Sequence, residues 1–191
     1  NPMPTITFHK LSWTDLQKDC VEIYQSKLKD VQIDQIISIC RGGDVVSRIF
    51  SDLLGTLPIS HITLTSYKDM KKQKIPMITE EPQKDMTEKT ILIIDEVSDT
   101  GQTFEMVVQY FSKRGVKKIY TLSPYVKPHT TFIPDFFHTK IDAWIVFPYD
   151  LRETAEGFTK MLGSKSHARE QMKEIGFQDW EIHAALPQDL G

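Results

Sequence analysis

Residue types able to do chemistry crowd into one stretch, TILIIDEVSDTGQTFEMVV at residues 90–108. The apolar residues 91–94 run straight into two adjacent carboxylates, Asp95 and Glu96, and a Ser-Asp-Thr-Gly turn then opens an amphipathic run. In an open α/β sheet, ligands bind beyond the carboxyl ends of the strands. This pattern therefore places Asp95, Glu96 and the 97–101 loop at a binding edge. A helix N-terminus after such a turn offers backbone N–H groups and the positive end of a dipole, a setting that favours a phosphate. Ser98, Thr100 and Thr103 add hydroxyl donors, and Gly101 permits close backbone approach. The two carboxylates suit a different role, in which they accept hydrogen bonds from neighbouring sugar hydroxyls or help to hold Mg²⁺ through water. One segment thus has the groups to hold a 5-phosphorylated ribose at both ends. The plainer alternative is a solvated Asp-Glu turn followed by a Ser-Asp-Thr helix cap. A Walker A loop is excluded, because no GxxxxGK[ST] pattern is present.

The elements that must position these groups follow from hydrophobic periodicity. Residues 12–30 read as a helix, with Ser12 and Asp15 as a capping-box-like start and Leu16, Cys20, Ile23 and Tyr24 as its apolar stripe. QIISIC at 35–40 reads as a buried strand that breaks at Arg41-Gly42-Gly43, and a helical stripe through Val46, Ile49 and Leu53 runs to Gly55. HITLTSY at 61–67 is the next strand. Residues 68–89, rich in Lys, Glu, Gln and Pro, are expected to form a long loop. Strand 90–95, a helix from about 102 to Gly115, strand 117–126 and strand 142–148 continue the alternation, which predicts a parallel sheet covered on both faces. From 153 onward the chain reads as polar helix broken at Gly163 and Gly176.

Composition narrows the class. The 191 residues suit one domain with a sizeable core. A net charge of −3 gives no global basic field for nucleic acid. No apolar run approaches a membrane span, and the first residues lack a signal-peptide pattern; Met3 is read as the native start. The two cysteines, Cys20 and Cys40, form neither a CxxC pair nor a disulfide framework, so a cytoplasmic setting is expected. The six histidines show no zinc-like spacing, and a protein-built zinc site is not expected.

IIDEVSDTGQTF resembles the phosphoribosyl-pyrophosphate (PRPP) signature of type I phosphoribosyltransferases, with Gln102 where many members have Gly, Lys or Arg. ISICRGGDVVSRIF at 37–50 resembles the family's pyrophosphate loop, and TSYKDM at 65–70 its mobile catalytic loop. Residues 125–150 resemble the base-binding end of the 6-oxopurine branch, closest to xanthine–guanine enzymes.

The resemblance implies a parallel sheet flanked by helices, with a small hood over the base. It makes 1–191 a single domain: a core at about 35–126, a hood at about 127–152 with an N-terminal contribution, and a helical extension at about 153–191. It also implies transfer of phosphoribosyl from PRPP to a 6-oxopurine base (guanine, hypoxanthine or xanthine), with Mg²⁺ carried mainly by PRPP and a homo-oligomer, dimer or tetramer, as the assembly. Asp95 and Glu96 would bind the ribose hydroxyls and the metal, and Val97, Ser98, Asp99, Thr100, Gly101, Gln102 and Thr103 the 5′-phosphate. Asp99 is the catalytic candidate, a proton acceptor near the purine N7.

Arg41 and Gly42 would meet pyrophosphate with Ser66, Tyr67 and Arg152, and the family's cis peptide would fall at Cys40-Arg41. Lys68, Lys71, Lys72 and Lys74 crowd the expected loop, as a solvated run or as part of a closing lid. Lys127 would contact the 6-oxo group, Trp144 would stack on the base, and Ile145 would offer its backbone. Val146 departs from the acidic residue of the xanthine–guanine pattern. Competing readings are a PRPP-sensing regulator on the same fold, a transferase for another base such as a pyrimidine, and an α/β domain with a fortuitous turn.

Overall fold

The computed structural model describes residues 6–68 and 74–186, with residues 67 and 68 as backbone only. In chain order the elements are β1 (Phe8–Lys10), α1 (Trp13–Ile23), β2 (Gln35–Cys40), α2 (Asp44–Leu53), β3 (Ile59–Lys68), β4 (Lys74–Glu80), β5 (Thr90–Ile94), β6 (Val97–Ser98), α3 (Gln102–Ser112), β7 (Lys118–Leu122), β8 (Tyr125–Val126), β9 (Thr139–Lys140), β10 (Trp144–Val146), α4 (Leu151–Leu162), α5 (Lys165–Glu174) and α6 (Asp179–Ala185). They fall into two compact units, one of residues 16–141 and one joining residues 1–15 to 142–191.

The larger unit is built on a five-stranded sheet in the order β4-β3-β2-β5-β7. β2, β3, β5 and β7 are parallel, and the central pair β2 and β5 carries the near-continuous apolar runs of strands buried on both faces. Side chains alternate between faces. Ile37, Ile39, Ile62, Ile91 and Ile93 therefore share one face, which packs with Phe104, Val107 and Phe111 of α3. Ile36, Leu92 and Ile94 point the other way and are equally buried. Truncating any of these residues to Ala removes about 2–5 kcal/mol. The reciprocal cap at α1 forms as predicted, with Asp15 N–H donating to Ser12 Oγ and Ser12 N–H to Asp15 Oδ2, both at 3.0 Å. The helix itself ends at Ile23 and passes into a π-helical turn, Tyr24–Leu28.

Residues 68–89 are not one long loop. Lys74–Glu80 pairs antiparallel with β3, from Lys68↔Lys74 to Thr63↔Glu80. Pro76 obscures this strand in the sequence, yet β4 lies at the edge of the sheet, where proline is tolerated. Ile78 anchors it on the core. Lys71 and Lys72 lie outside the described residues.

In the smaller unit β10 does not extend the central sheet. It pairs in parallel with β1, Phe8↔Trp144 through Lys10↔Val146. The three C-terminal helices pack on it, burying Val146 with Phe158, Met172, Phe177 and Ile182. Gly163 and Gly176 end α4 and α5 with positive φ, as their positions in the sequence predict.

Candidate active site

Strand β5 delivers the acidic pair. Asp95 N–H still donates to Leu122 O of β7 at 3.1 Å, so Asp95 is held by the sheet itself. Its half-buried carboxyl accepts the Glu96 N–H at 2.8 Å. Desolvation pushes the Asp95 carboxyl up to about 7; the Glu96 N–H opposes the rise, and the negative charge of Asp44 adds to it.

The loop after β2 packs directly on this strand end. The Cys40-Arg41 peptide is cis, in agreement with the family expectation. A Cβ at residue 42 would lie 2.9 Å from Glu96 Oε1 and 3.0 Å from Asp95 Oδ1. One at residue 43 would lie 2.4 Å from Ile94 O and 3.0 Å from Ile39 O. Only glycine fits at position 43, because backbone meets backbone there. The glycines thus bring the expected pyrophosphate loop against the expected ribose carboxylates.

The turn after Glu96 is braced from below by residues 125–132. β6 pairs in parallel with β8, and Lys127 N–H donates to Ser98 O at 2.9 Å, so the 6-oxo candidate is locked to the expected phosphate turn. Ser98 is buried, and its hydroxyl donates to Phe132 O at 2.8 Å and lies 2.9 Å from Thr130 Oγ1. The Thr131 N–H and hydroxyl both donate to Thr100 O, at 3.0 and 2.9 Å. Gly101 has φ +95°, and a Cβ there would meet Phe132 N at 2.6 Å. It N-caps α3, and Phe104 stacks on Phe132 at a 5.2 Å centroid distance. Asp99, Thr100 and Gln102 are exposed and Thr103 half-buried at this helix start.

Asp99 has a partner that sequence reading missed: His129 Nε2 lies 2.7 Å from its Oδ1. The two residues are 30 positions apart, and no local pattern links them. Asp44, beside Asp95, was missed for the same reason. Ser66 lies on β3 opposite Pro76, three residues past the Thr63 that pairs with Cys40; the Tyr67 side chain is outside the described residues.

The remaining candidates belong to the smaller unit. Trp144 is half-buried among Phe8 and Phe158, at centroid distances of 5.7 and 5.5 Å, and its ring edge covers Gly157, where a Cβ would come within 2.8 Å. Trp144 N–H donates to Thr7 O and Val146 O accepts from Leu11 N–H, both at 2.9 Å. Alternation along a strand then turns the N–H and C=O of Ile145 away from β1, toward the edge of β10 that no strand covers among the described residues. Val146 is core. Arg152 is exposed in the first turn of α4.

Comparison with known proteins accords with this geometry. Residues 12–155 match the phosphoribosyl transferase domain family model. A xanthine-guanine phosphoribosyltransferase of Desulfotalea psychrophila is 31% identical over 144 residues, covering 74% of this chain and 86% of that protein. A purine phosphoribosyltransferase structure from Pyrococcus horikoshii superposes with a TM-score of 0.68 at 32% identity, covering 74% of this chain and 93% of that one. The xanthine-guanine-hypoxanthine phosphoribosyltransferase of Helicobacter pylori gives 0.66 at 25% identity, covering 76% and 97%. The chain belongs to the phosphoribosyltransferase family and is an enzyme of that class.

Proposed function

We propose that the enzyme transfers the 5-phosphoribosyl group of PRPP to a 6-oxopurine, giving a nucleoside 5′-monophosphate and pyrophosphate. The carrying observation is the convergence of three backbone features on one strand end: the Arg41–Gly43 loop, the Asp95-Glu96 pair and the 97–103 turn. The kinship of purine and xanthine-guanine enzymes supports the choice of base class.

In this reading the 5′-phosphate sits on the N-terminus of α3, met by backbone N–H groups and by the Thr100 and Thr103 hydroxyls. The Ser98 hydroxyl is committed to the 130–132 loop and stiffens the turn instead. Asp95 and Glu96 accept hydrogen bonds from the ribose hydroxyls. Their carboxylate oxygens face the same side of Gly42, and hard oxygen donors of this kind suit Mg²⁺. When bound, the ion offsets the negative charge of the diphosphate. Arg41 and Gly42 then hold the departing pyrophosphate, since the Gly43 N–H is committed to Ile39 O at 2.8 Å.

Catalysis consists of holding the base nitrogen against C1 and stabilising positive charge as the C1–oxygen bond breaks. Asp99 takes the proton from N7 as N9 attacks C1, and His129 holds its carboxylate in place. Lys127 is the donor for the 6-oxo group.

The test is product formation from PRPP and Mg²⁺ with guanine, hypoxanthine, xanthine, adenine and orotate in parallel. Nucleotide from one or more 6-oxopurines is expected. Turnover of orotate alone would overturn the base assignment, and silence with all five would overturn the reading as a transferase. Asp99→Asn is expected to reduce turnover far more than PRPP affinity, and equal losses in both would remove Asp99 from proton transfer.

A further inference from the structure

Parallel register sets Ser38 opposite His61 and Cys40 opposite Thr63, so these side chains share the sheet face away from Ile37, Ile39 and Ile62. The first turn of α2 adds Asp44 to that face. Cys40 Sγ lies 3.4 Å from Asp44 Oδ1, His61 Nε2 lies 3.8 Å from the same oxygen, and all three ligand atoms fall within 4.8 Å of one another. Zn²⁺ with ordinary thiolate, imidazole and carboxylate bond lengths in a tetrahedron needs sulfur–oxygen and nitrogen–oxygen separations of about 3.6 and about 3.4 Å. The observed spacings are within a few tenths of an ångström of these. We propose that Cys40, Asp44 and His61 form a binding site for a borderline-soft divalent cation of the zinc class, separate from the carboxylates assigned to Mg²⁺.

The donor set argues for this chemistry. A thiolate and an imidazole select zinc over magnesium, which takes oxygen ligands. His61 is exposed, so a fourth position is open to water or another oxygen ligand. Ser38 Oγ donates to Asp44 Oδ1 at 2.7 Å and orients the carboxylate, the kind of outer contact that tunes metal sites. The Cys40 thiol donates to Asp44. On binding, the thiol proton passes to water and the metal takes its place. Apparent affinity should therefore rise with pH. Chain spacing gave no sign of the site because its members come from a strand end, a helix start and a neighbouring strand.

Cobalt(II) titration of the full chain tests the site directly, with a spectroscopic readout that does not depend on transferase activity. Saturation at one equivalent with a thiolate-to-cobalt charge-transfer band, displaced by Zn²⁺ but not by excess Mg²⁺, is expected. Cys40→Ser should abolish the band, and His61→Ala, at an exposed position, should weaken binding by about tenfold or more. Four results would each overturn the proposal: no charge-transfer band in the parent protein, a band that survives Cys40→Ser, a band indifferent to His61→Ala, or displacement by Mg²⁺.

Discussion

At the residue scale, Asp95 carries a stability cost. Its carboxyl is pushed from the ordinary 3.8 to about 7, so the folded state holds the proton more tightly than the unfolded chain. The associated stability is complete below about pH 4 and is lost as pH rises through about 7. Asp95→Asn should raise the Tm of the ligand-free protein at pH 8, by about 1–3 kcal/mol or a few degrees, and change little at pH 4. Thermal melts at both pH values check this; a gain of equal size at pH 4 would contradict the desolvation account. His129→Ala should lower kcat about fivefold, the worth of one hydrogen bond, with KM for PRPP nearly unchanged. A rise in KM alone would assign His129 to binding. The placement of Asp95, Glu96 and Asp99 between a strand end and a helix start was legible in the sequence because the strand, the turn and the helix start are contiguous. His129, Asp44 and the buried state of the Ser98 hydroxyl were not, because each depends on contacts between distant segments.

At the element scale, glycine contacts fix how closely the loop after β2 approaches β5. Gly43→Ala forces a methyl against Ile94 O and should cost about 2–4 kcal/mol, read as a lowered midpoint in urea. Gly163→Ala is the control: nothing lies within 4 Å of its added carbon, and only its positive φ of 81° resists, worth about 1 kcal/mol. Equal losses in the two variants would mean that backbone conformation rather than close approach governs Gly43. Strands β2 and β5 were readable as apolar runs, and β3 and β7 only as strand-forming segments between turns. The edge strand β4 was not, since Pro76 and the surrounding charges break the period that marks a strand. A similar loss of signal hid the end of α1, where the apolar stripe continues through Tyr24 although the helix has already passed into its π-helical turn.

At the scale of the whole molecule, the C-terminal helices pack around a two-stranded sheet whose first strand comes from the other end of the chain. Neither the 153–191 helices nor residues 1–11 reveal this in sequence, because β-pairing between distant segments leaves no local trace. Removing residues 1–11 deletes the β1 strand together with Phe8 and Leu11. Amides of β10 and α4–α6 should then exchange rapidly with solvent, while those of β2, β5 and β7 keep their protection. Hydrogen exchange with mass spectrometry reads both regions at once, and unchanged protection in α4–α6 would show that β1 is dispensable. Among the described residues no helix is long and apolar enough to cross a membrane.

The pairing of Phe8–Lys10 with Trp144–Val146 also bears on biosynthesis. A ribosome releases β1 long before its partner strand exists, so the nascent chain must carry Phe8 and Leu11 unsheltered while the five central strands assemble. Holding chaperones would therefore act chiefly on the segment around β1.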